Sequence, residues 1–345
     1  EVTATKTWSG LGTNETAPAL WFQLYEGTTA VGEPQAVPTG DLRTVTWSGL
    51  DETKSDGTPY EYTVAEGTVS GGTFTAGVPA GWTAENWSCE DNICTITNTR
   101  NTIGISATKT WSGLGETEQS PALTFQLFQG GTPYGESQSV QKTGPGDITV
   151  SWADVPETDP SGTAYVYSVK EGTGSGATFA AAVPAGFTAD PASGECTVAG
   201  TPKTCTITNT RNTIGISATK TWSGLGETEQ SPALTFQLFQ GGTPYGESQS
   251  VQKTGPGDIT VSWADVPETD PSGTAYVYSV KEGTGSGATF AAAVPAGFTA
   301  DPASGECTVA GTPKTCTITN TRNTIGINAT KAWVGTPADG TAVTF

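Results

Sequence analysis

The chain has 345 residues, of which only 14% are charged, 45 are glycine and 22 are proline, and its formal net charge is −19. This acidic balance argues against nucleic acid as a partner and against adsorption to anionic membranes, because both need basic patches. The sequence contains no histidine and no methionine, so the commonest metal ligand and general base is missing and most catalytic constellations are excluded.

The chain opens on a strand-like segment whose motif, ATKTWSGLG at 4–12, returns unchanged at 107–115. Residues 94–216 then recur without a change at a spacing of 111 residues, which is the signature of tandem repeats. The opening copy is diverged, since Trp8 and Trp111 are only 103 residues apart. The predicted domains are repeat 1 at 1–101, repeat 2 at 102–212, repeat 3 at 213–323 and the start of a truncated fourth repeat at 324–345.

Within one repeat, five strand-like runs alternate with turn signals such as GG, GPG, DPSG and GSG. The runs are ISATKTW, ALTFQLF, DITVSW, AYVYSVKE and TCTITNT. No helical period is present, so the pattern predicts an all-β chain of tandem Ig-like β-sandwich repeats of about 100 residues each. Only a few residues join successive repeats, so we expect stiff joints and neighbouring repeats as the first partners.

Strand alternation places three polar side chains of each repeat on the core face, because successive side chains point to opposite faces of a strand. In the first strand Lys109 lies on the same face as Trp111, and in AYVYSVKE the apolar face continues to Glu171. In the last strand Asn209 shares the face of Ile207. The same parity holds for Lys6, Glu66 and Asn98 in repeat 1 and for Lys220, Glu282 and Asn320 in repeat 3.

Burying an amine, a carboxyl group and an amide together is expensive unless they satisfy one another. Desolvation lowers the pKa of a lysine and raises that of a glutamate, so the pair can exist as neutral amine and neutral acid. The sequence therefore predicts that Lys109 attacks the side-chain amide of Asn209 while Glu171 polarises the carbonyl and carries protons to the departing ammonia. The alternative is a buried Lys–Glu ion pair that is hydrogen-bonded to the asparagine.

The stretches ATKTW, YVYSVKEG and TITNT, in this order and at this separation, resemble the Cna protein B-type (CnaB) repeats of Gram-positive surface adhesins and pilins. The resemblance covers the three complete repeats and the opening of the fourth. It implies a reverse-Ig sandwich in which a first-strand lysine and a last-strand asparagine form an isopeptide bond with the help of a glutamate. The implied bonds and catalytic acids are Lys6 to Asn98 with Glu66, Lys109 to Asn209 with Glu171, and Lys220 to Asn320 with Glu282.

Six cysteines fall as three close pairs, one in each complete repeat. This spacing indicates local disulfides and an oxidising, extracellular setting, although reduced and half-buried thiols remain the alternative. Two cysteines without a histidine cannot complete a tetrahedral zinc site within one repeat. The pairs are Cys89 with Cys94, Cys196 with Cys205, and Cys307 with Cys316.

Identical repeats in series suit a spacer, so we expect a stalk of a bacterial surface protein, either cell-wall anchored or part of a fibre, with no cofactor. No apolar run reaches the roughly 18 residues of a membrane helix and no signal peptide opens the chain, so this segment looks like an interior piece without membrane insertion. A ligand on the host or the cell surface would then bind through a domain outside this segment.

The runner-up is an adhesive role for repeat 1 through its additional aromatic residues, Trp21, Tyr25, Trp82 and Trp87, which are either exposed for glycan or protein binding or packed against a preceding repeat. An enzyme acting on external substrates is disfavoured. Glu157 and Asp159 lie in a Pro/Gly-rich loop and are interpreted as turn formers rather than as a catalytic pair or a calcium site.

Overall fold

β-Strands account for nearly all of the regular structure, as the alternating pattern predicted. The computed structural model describes residues 1–39, 43–332 and 334. The chain forms two compact units, Glu1–Arg211 and Asn212–Phe345. In the described residues the first unit holds two β-sandwiches and the second holds one, so the predicted all-β class of tandem Ig-like sandwiches is confirmed.

Each sandwich is built from nine strands, and two of the three also contain one short 3-10 helix. Repeat 1 comprises β1 (Val2–Ser9), β2 (Trp21–Glu26), β3 (Thr29–Ala36), β4 (Thr44–Trp47), β5 (Tyr62–Ser70), β6 (Thr73–Ala76), β7 (Trp82–Ala84), β8 (Ser88–Glu90) and β9 (Ile93–Arg100). Repeat 2 comprises β10 (Thr102–Ser112), β11 (Thr124–Gln129), β12 (Thr132–Ser139), β13 (Ile148–Pro156), β14 (Tyr167–Thr173), the helix Gly176–Thr178, β15 (Ala180–Ala181), β16 (Phe187–Asp190), β17 (Glu195–Thr197) and β18 (Lys203–Arg211). Repeat 3 comprises β19 (Thr213–Ser223), β20 (Thr235–Gln240), β21 (Thr243–Ser250), β22 (Ile259–Pro267), β23 (Tyr278–Thr284), the helix Gly287–Thr289, β24 (Ala291–Ala292), β25 (Phe298–Asp301), β26 (Glu306–Thr308) and β27 (Lys314–Arg322).

The two sheets of a sandwich have the same strand order in each repeat, apart from the strand before the last. In repeat 2 one sheet runs β13-β10-β18-β16, and the other runs β12-β11-β14-β15 with β17 also paired to β14. Repeat 3 has β22-β19-β27-β25 and β21-β20-β23-β24, with β26 on β23. Repeat 1 has β4-β1-β9-β7 and β3-β2-β5-β6, but here the strand before the last, β8, pairs with β9 instead.

The first and last strands of every repeat are direct neighbours and run parallel. In repeat 2, β10 pairs with β18 so that Lys109 lies opposite Ile207 and Trp111 lies opposite Asn209. β1 and β9 pair in the same way in repeat 1, as do β19 and β27 in repeat 3. The strand by which the chain enters a sandwich is therefore hydrogen-bonded to the strand by which it leaves.

The core of each sandwich lies between its two sheets. In repeat 2 it contains Ile105 and Ile207 from one sheet and Phe125, Leu127 and Val169 from the other, each at most 1% exposed. Burial of such side chains contributes about 1.5–3 kcal/mol each and fixes which face of every strand points inward. The faces that the alternation assigned to the core are those that the structure buries.

Sequence analysis found five of the nine strands of repeat 2 and missed the other four. Strands β12 and β15 to β17 of repeat 2 were not predicted, because they are short or lie in segments rich in glycine and proline. Of the predicted fourth repeat, residues 324–332 are described and form no strand, whereas Trp333 and 335–345 lie outside the described residues. In the complete repeats this segment is a first strand held between two partner strands, and the described part of the chain supplies no such partners here.

Candidate functional site

Three polar side chains meet at the centre of repeat 2. Lys109 lies on β10 and Asn209 on the neighbouring strand β18, where the register places them diagonally on the same face. Glu171 lies on β14 of the facing sheet and points towards both. The predicted triad is thus brought together by the pairing of the first and last strands and by the stacking of one sheet on the other.

A single carboxylate oxygen contacts both partners. Glu171 Oε2 lies 2.6 Å from Lys109 Nζ and accepts a hydrogen bond of 3.0 Å from Asn209 Nδ2. All three residues are 0% exposed. The other carboxylate oxygen, Oε1, and the amide oxygen Oδ1 of Asn209 have no hydrogen-bond partner among the described residues. A buried polar atom left unpaired costs about 1–3 kcal/mol, so the separate side chains form a high-energy arrangement.

Burial changes the protonation equilibria of this pair in opposite directions. Desolvation lowers the pKa of Lys109 to about 8, although the hydrogen bond and the charge of Glu171 oppose the change. Desolvation also raises the pKa of Glu171, against the opposing effects of Lys109 and Asn209. Both shifts favour the neutral amine and the neutral acid, which are the forms needed for nucleophilic attack and proton transfer.

An aromatic wall completes the pocket. The ammonium nitrogen of Lys109 lies 4.6 Å from the ring centroid of Trp111, two residues further along the same strand face. Trp111 packs edge-on against Phe187, with the ring centroids 5.2 Å apart. These rings keep water from the amine, which is why its burial has a large effect on its pKa.

Repeats 1 and 3 contain the same triad. In repeat 3 Lys220 Nζ lies 2.6 Å from Glu282 Oε2, and Asn320 Nδ2 donates to that oxygen at 3.0 Å. In repeat 1 the distances from Glu66 Oε2 are 2.9 Å to Lys6 Nζ and 3.3 Å to Asn98 Nδ2. Burial lowers the pKa of Lys6 and of Lys220. Repeat 1 therefore has the same three groups around one carboxylate oxygen, at slightly longer distances.

Sequence analysis missed the glycine that covers the glutamate. The backbone oxygen of Gly194 accepts a hydrogen bond of 2.9 Å from the Glu171 amide. A Cβ at Gly194 would lie 2.8 Å from Glu171 Cγ, so only glycine allows the backbone to come this close. Gly305 has the same relation to Glu282 in repeat 3. With 45 glycines in the chain, no sequence signal marked these two.

The structure joins the six cysteines in the pairs that the sequence suggested: Cys89–Cys94, Cys196–Cys205 and Cys307–Cys316. In repeat 2 the disulfide links β17, which pairs with the sheet of Glu171, to β18, which carries Asn209. In repeat 1 it links β8 to β9 within one sheet, where the two cysteines are register partners. The disulfides of the identical repeats thus cross between sheets, and the disulfide of the diverged repeat does not.

The additional aromatic residues of repeat 1 are mostly packed inside the first unit. Trp82 is 5% exposed, and its ring centroid lies 4.6 Å from that of Trp8. Its indole nitrogen donates a hydrogen bond of 3.1 Å to the backbone oxygen of Pro160 in repeat 2. Trp87 packs edge-on against Phe22 at 5.1 Å. The expectation that Trp82 was either exposed or packed on a preceding repeat was wrong, because it contacts the following repeat instead. Trp21 and Tyr25 are half-buried.

The acidic loop of repeat 2 is a turn. Asp159 Oδ1 accepts hydrogen bonds from the Ser161 amide at 2.9 Å and the Thr163 amide at 2.8 Å, which confirms its interpretation as a turn former. The described residues contain no group of three or more metal-ligating side chains. Within the same residues no helix has the length and apolar character needed to cross a membrane.

Fold and site together define a tandem-repeat β-sandwich protein with a buried lysine, glutamate and asparagine in each complete repeat. The model of the Cna protein B-type domain family matches residues 2–99, 105–192 and 216–303. These matches cover well over half of the sequence, and the chain belongs to the Cna protein B-type domain family.

Several solved structures are similar to this chain. Two B repeat units of the collagen binding protein Cna of Staphylococcus aureus match with 21% identity over 93% of this chain and 75% of that chain, at a TM-score of 0.33. The Bacillus anthracis TIE protein matches with 12% identity over 82% of this chain and 45% of its own, at a TM-score of 0.40. The major pilin T-13 of Streptococcus pyogenes matches with 13% identity over 65% and 98% of the two chains, at a TM-score of 0.32. The comparison with curated protein sequences gave no match.

Proposed function

We propose that this chain is a structural stalk segment of an extracellular bacterial surface protein, cell-wall anchored or part of a fibre, in which each complete repeat is closed by a Lys–Asn isopeptide bond. Membership of the Cna protein B-type family supports this role, since the sequence resemblance associates such repeats with adhesins and pilins. The three disulfides support an oxidising environment. The predicted repeat bounds 1–101, 102–212 and 213–323 are the proposed crosslinked modules.

One observation carries the proposal: a single carboxylate oxygen touches both the amine that would attack and the amide nitrogen that would leave. Glu171 Oε2 contacts Lys109 Nζ at 2.6 Å and Asn209 Nδ2 at 3.0 Å in a fully buried pocket. A proton on this oxygen can therefore pass from the nucleophile to the leaving group without a bulk water molecule. A purely structural ion pair has no need of the asparagine amide at this position.

The reaction transfers an acyl group between two side chains. The lone pair of neutral Lys109 Nζ attacks Cγ of Asn209, and Glu171, whose Oε2 contacts Nζ and Nδ2 rather than Oδ1, serves the proton transfer. The bond between Cγ and Nδ2 then breaks, Glu171 relays a proton from the lysine nitrogen to Nδ2, and ammonia leaves. The products are one secondary amide, one ammonia and the regenerated acid, so no cofactor, metal or oxidant is consumed.

The position of the bond suits a protein under tension. The first and last strands are parallel neighbours, so a pull on the two ends of a repeat loads them in shear. A covalent bond between Lys109 and Asn209 joins these two strands directly and carries the load past the rest of the sandwich. The activity is a single turnover within each repeat, and we propose no reaction on external substrates.

An adhesive role through repeat 1 receives less support. Trp82 and Trp87, the aromatic residues nearest the Cys89 hairpin, are engaged in internal packing, which leaves Trp21 and Tyr25 as a small half-buried pair. Such a pair falls short of the contiguous apolar patch that marks an interaction surface.

The intact mass of the full chain under reducing conditions tests the proposal. We expect the loss of three ammonia molecules, about 17 Da each, because the chain has three complete triads. The Glu171→Gln variant keeps the shape of the side chain but cannot act as an acid, so it should lose only two. A wild-type chain at its full unmodified mass would overturn the proposal, and a fully crosslinked Glu171→Gln chain would remove the glutamate from the mechanism.

A further inference from the structure

A short segment covers the glutamate of repeats 2 and 3. In repeat 2 this cover consists of Gly194 and strand β17 (Glu195–Thr197), which pairs with β14 through three residue pairs. Gly194 lies so close to Glu171 that an added Cβ would be 2.8 Å from Glu171 Cγ, and its backbone oxygen accepts a hydrogen bond of 2.9 Å from the Glu171 amide. The cover thus lies between the side chain of Glu171 and solvent at this edge of the sheet.

The cover is joined to the strand of the asparagine by one covalent link, and the chain that follows it by a backbone bridge between Ala199 and Thr204. Cys196, the central residue of β17, is bonded to Cys205, which lies four residues before Asn209 and on the same face of β18. A three-residue strand at a sheet edge has few hydrogen bonds of its own and opens easily. The disulfide is the covalent part of this attachment, so its loss should loosen the cover over Glu171.

Repeat 1 provides a natural contrast. There the strand before the last, β8, pairs with β9, and Cys89 and Cys94 are direct register partners within that pair. The disulfide of repeat 1 does not reach the strand of Glu66. The glutamate is 6% exposed in repeat 1, against 0% for Glu171 and 1% for Glu282.

We propose that the disulfides of repeats 2 and 3 act on the bond-forming triad: each locks the cover over its glutamate, so that isopeptide formation in these repeats depends on prior oxidation of the cysteines. Cys196 and Cys205 are positioning residues for Glu171, as Cys307 and Cys316 are for Glu282. Repeat 1 crosslinks independently of its disulfide. This inference rests on the proposed isopeptide chemistry and adds to it a redox order, in which oxidation comes first and crosslinking second.

The order has a simple chemical basis. Two thiols of a repeat exchange with a small disulfide oxidant, such as oxidised glutathione, and yield one protein disulfide and two released thiols. The closed cover then excludes water from the acid and holds it against the amine and the amide. In a reducing compartment the cover stays loose, the acid is hydrated, and the crosslink of repeats 2 and 3 forms slowly.

The test compares two double variants in the full chain. Unreacted protein is recovered in denaturant from inclusion bodies, its unreacted state is checked by mass, and it is refolded with oxidised and reduced glutathione. The crosslink in each repeat is followed over time by peptide mass. Repeats 2 and 3 are identical in sequence, and the Cys205→Ala substitution gives the tryptic peptide that carries Asn209 its own mass.

In Cys196→Ala/Cys205→Ala we expect repeat 2 to crosslink about 10- to 100-fold more slowly than repeat 3 of the same molecule. The matched control, Cys89→Ala/Cys94→Ala, should leave the crosslinking rates of all three repeats unchanged. Equal rates for repeats 2 and 3 in the first variant would overturn the inference and leave the isopeptide proposal standing. A wild-type chain without any crosslink overturns both.

A second pair of variants separates positioning from folding. Gly194→Ala keeps the disulfide but places a methyl group against Glu171, whereas Gly200→Ala introduces the same type of backbone strain in the adjoining turn without touching the triad. Slower crosslinking in Gly194→Ala than in Gly200→Ala is expected. Equal rates in the two glycine variants would show that the cover does not position the acid.

The pH dependence of the crosslinking rate distinguishes positioning of the acid from a general loss of stability, because a less stable repeat would react more slowly at every pH. Lys109 is the charged group that contacts Glu171, since Glu195 of the cover pairs instead with Lys170 at 3.1 Å. A loose cover rehydrates the Lys109–Glu171 pair, so in Cys196→Ala/Cys205→Ala the basic limb of the rate profile should move to higher pH. A uniformly lower rate with an unmoved limb would indicate only partial unfolding and would contradict the positioning role.

Discussion

Lys109 has no contact with solvent, although water is the environment in which an ammonium group is most stable. Its burial is tolerated because one carboxylate and one ring face satisfy it, and because its pKa falls to about 8. The unreacted pair therefore shares a proton that either group can hold. For the proposed isopeptide reaction, this property predicts a specific dependence on pH.

We predict that crosslinking of repeat 2 is fastest when Lys109 and Glu171 together hold one proton. Above about pH 8 this proton is lost, Glu171 stays ionised and cannot act as an acid, and the rate falls. On the acid side the rate falls below the pKa of Glu171, which burial raises above its usual range, because Lys109 then becomes protonated. Refolding of unreacted chain between pH 5 and 10, followed by peptide mass, gives this profile for the identical repeats 2 and 3 and, separately, for repeat 1.

A basic limb near pH 10.4, the ordinary value for lysine, would show that the amine is not desolvated in the reacting state. The crosslink of repeat 1 serves as an internal comparison, since burial also lowers the pKa of Lys6. A profile that rises steadily up to pH 10 in both repeats would contradict the requirement for a protonated glutamate.

The inward direction of all nine triad residues was predictable from strand parity, because a side-chain period of two is a local property of the backbone. The role of Gly194 was not predictable. Its importance comes from its distance to Glu171, a residue that is remote in sequence and lies on another strand. Local patterns reveal which residues face the core, but they do not reveal which backbone comes close to which side chain.

Among the elements, the pairing of the first and last strands has the largest consequence. An antiparallel hairpin at the ends of the chain could be opened one residue at a time, whereas parallel neighbours such as β10 and β18 must slide past each other. The proposed crosslink would close a loop of about 100 residues, which is worth roughly 4–5 kcal/mol in unfolded-state entropy. The mechanical effect of such a bond would be greater, because a closed loop cannot be extended at all.

Single-molecule stretching of the full chain tests this role of the strands. In Glu171→Gln, repeat 2 alone can unfold along its length, and we expect one extension of about 30–35 nm, the contour of roughly 100 residues. The wild-type chain should show no such step, because its three loops stay closed. A step of this length in the wild-type chain would show that the bond is absent or lies elsewhere.

The strands also differ in how well sequence predicted them. Runs of five or more alternating residues were recognised, while β17, with three residues, was not. Its structure depends on a disulfide and on three ladder pairs with β14, which are tertiary contacts. Propensity cannot identify a strand that exists mainly because its neighbours hold it in place.

At the scale of the molecule, the first unit shows how two repeats are joined. A single residue, Asn101, separates β9 from β10. Arg100, the last residue of β9, is 5% exposed and donates from Nη2 to the backbone oxygen of Thr158 in repeat 2 at 2.8 Å. Its Nη1 also binds Glu15 of repeat 1 at 2.7 Å. The guanidinium group of Arg100 thus forms hydrogen bonds with both repeats.

We predict that Arg100→Ala loosens this joint without affecting the crosslinks. Loss of the charge-assisted hydrogen bonds, worth about 1.5–3 kcal/mol each, removes the contact of Arg100 with Thr158 of repeat 2. Energy transfer between dyes placed in these two repeats should show a broader distance distribution, while the intact mass stays that of the wild type. Lys54→Ala, which removes an exposed ion pair with Glu26, is the matched control and should leave the distribution unchanged. An unchanged distribution in Arg100→Ala would mean that other contacts fix the joint.

The sequence by itself determined the repeats, the all-β class and the identity of the inward-facing lysine, glutamate and asparagine, because all of these follow from period, parity and self-similarity along the chain. The tertiary structure decided which groups meet. It placed Trp82 against the following repeat, Gly194 against Glu171, and the disulfide of repeat 2 between two sheets rather than within one. The reason is physical: strand parity depends on neighbours along the chain, whereas close contacts depend on how separate strands and sheets pack in space.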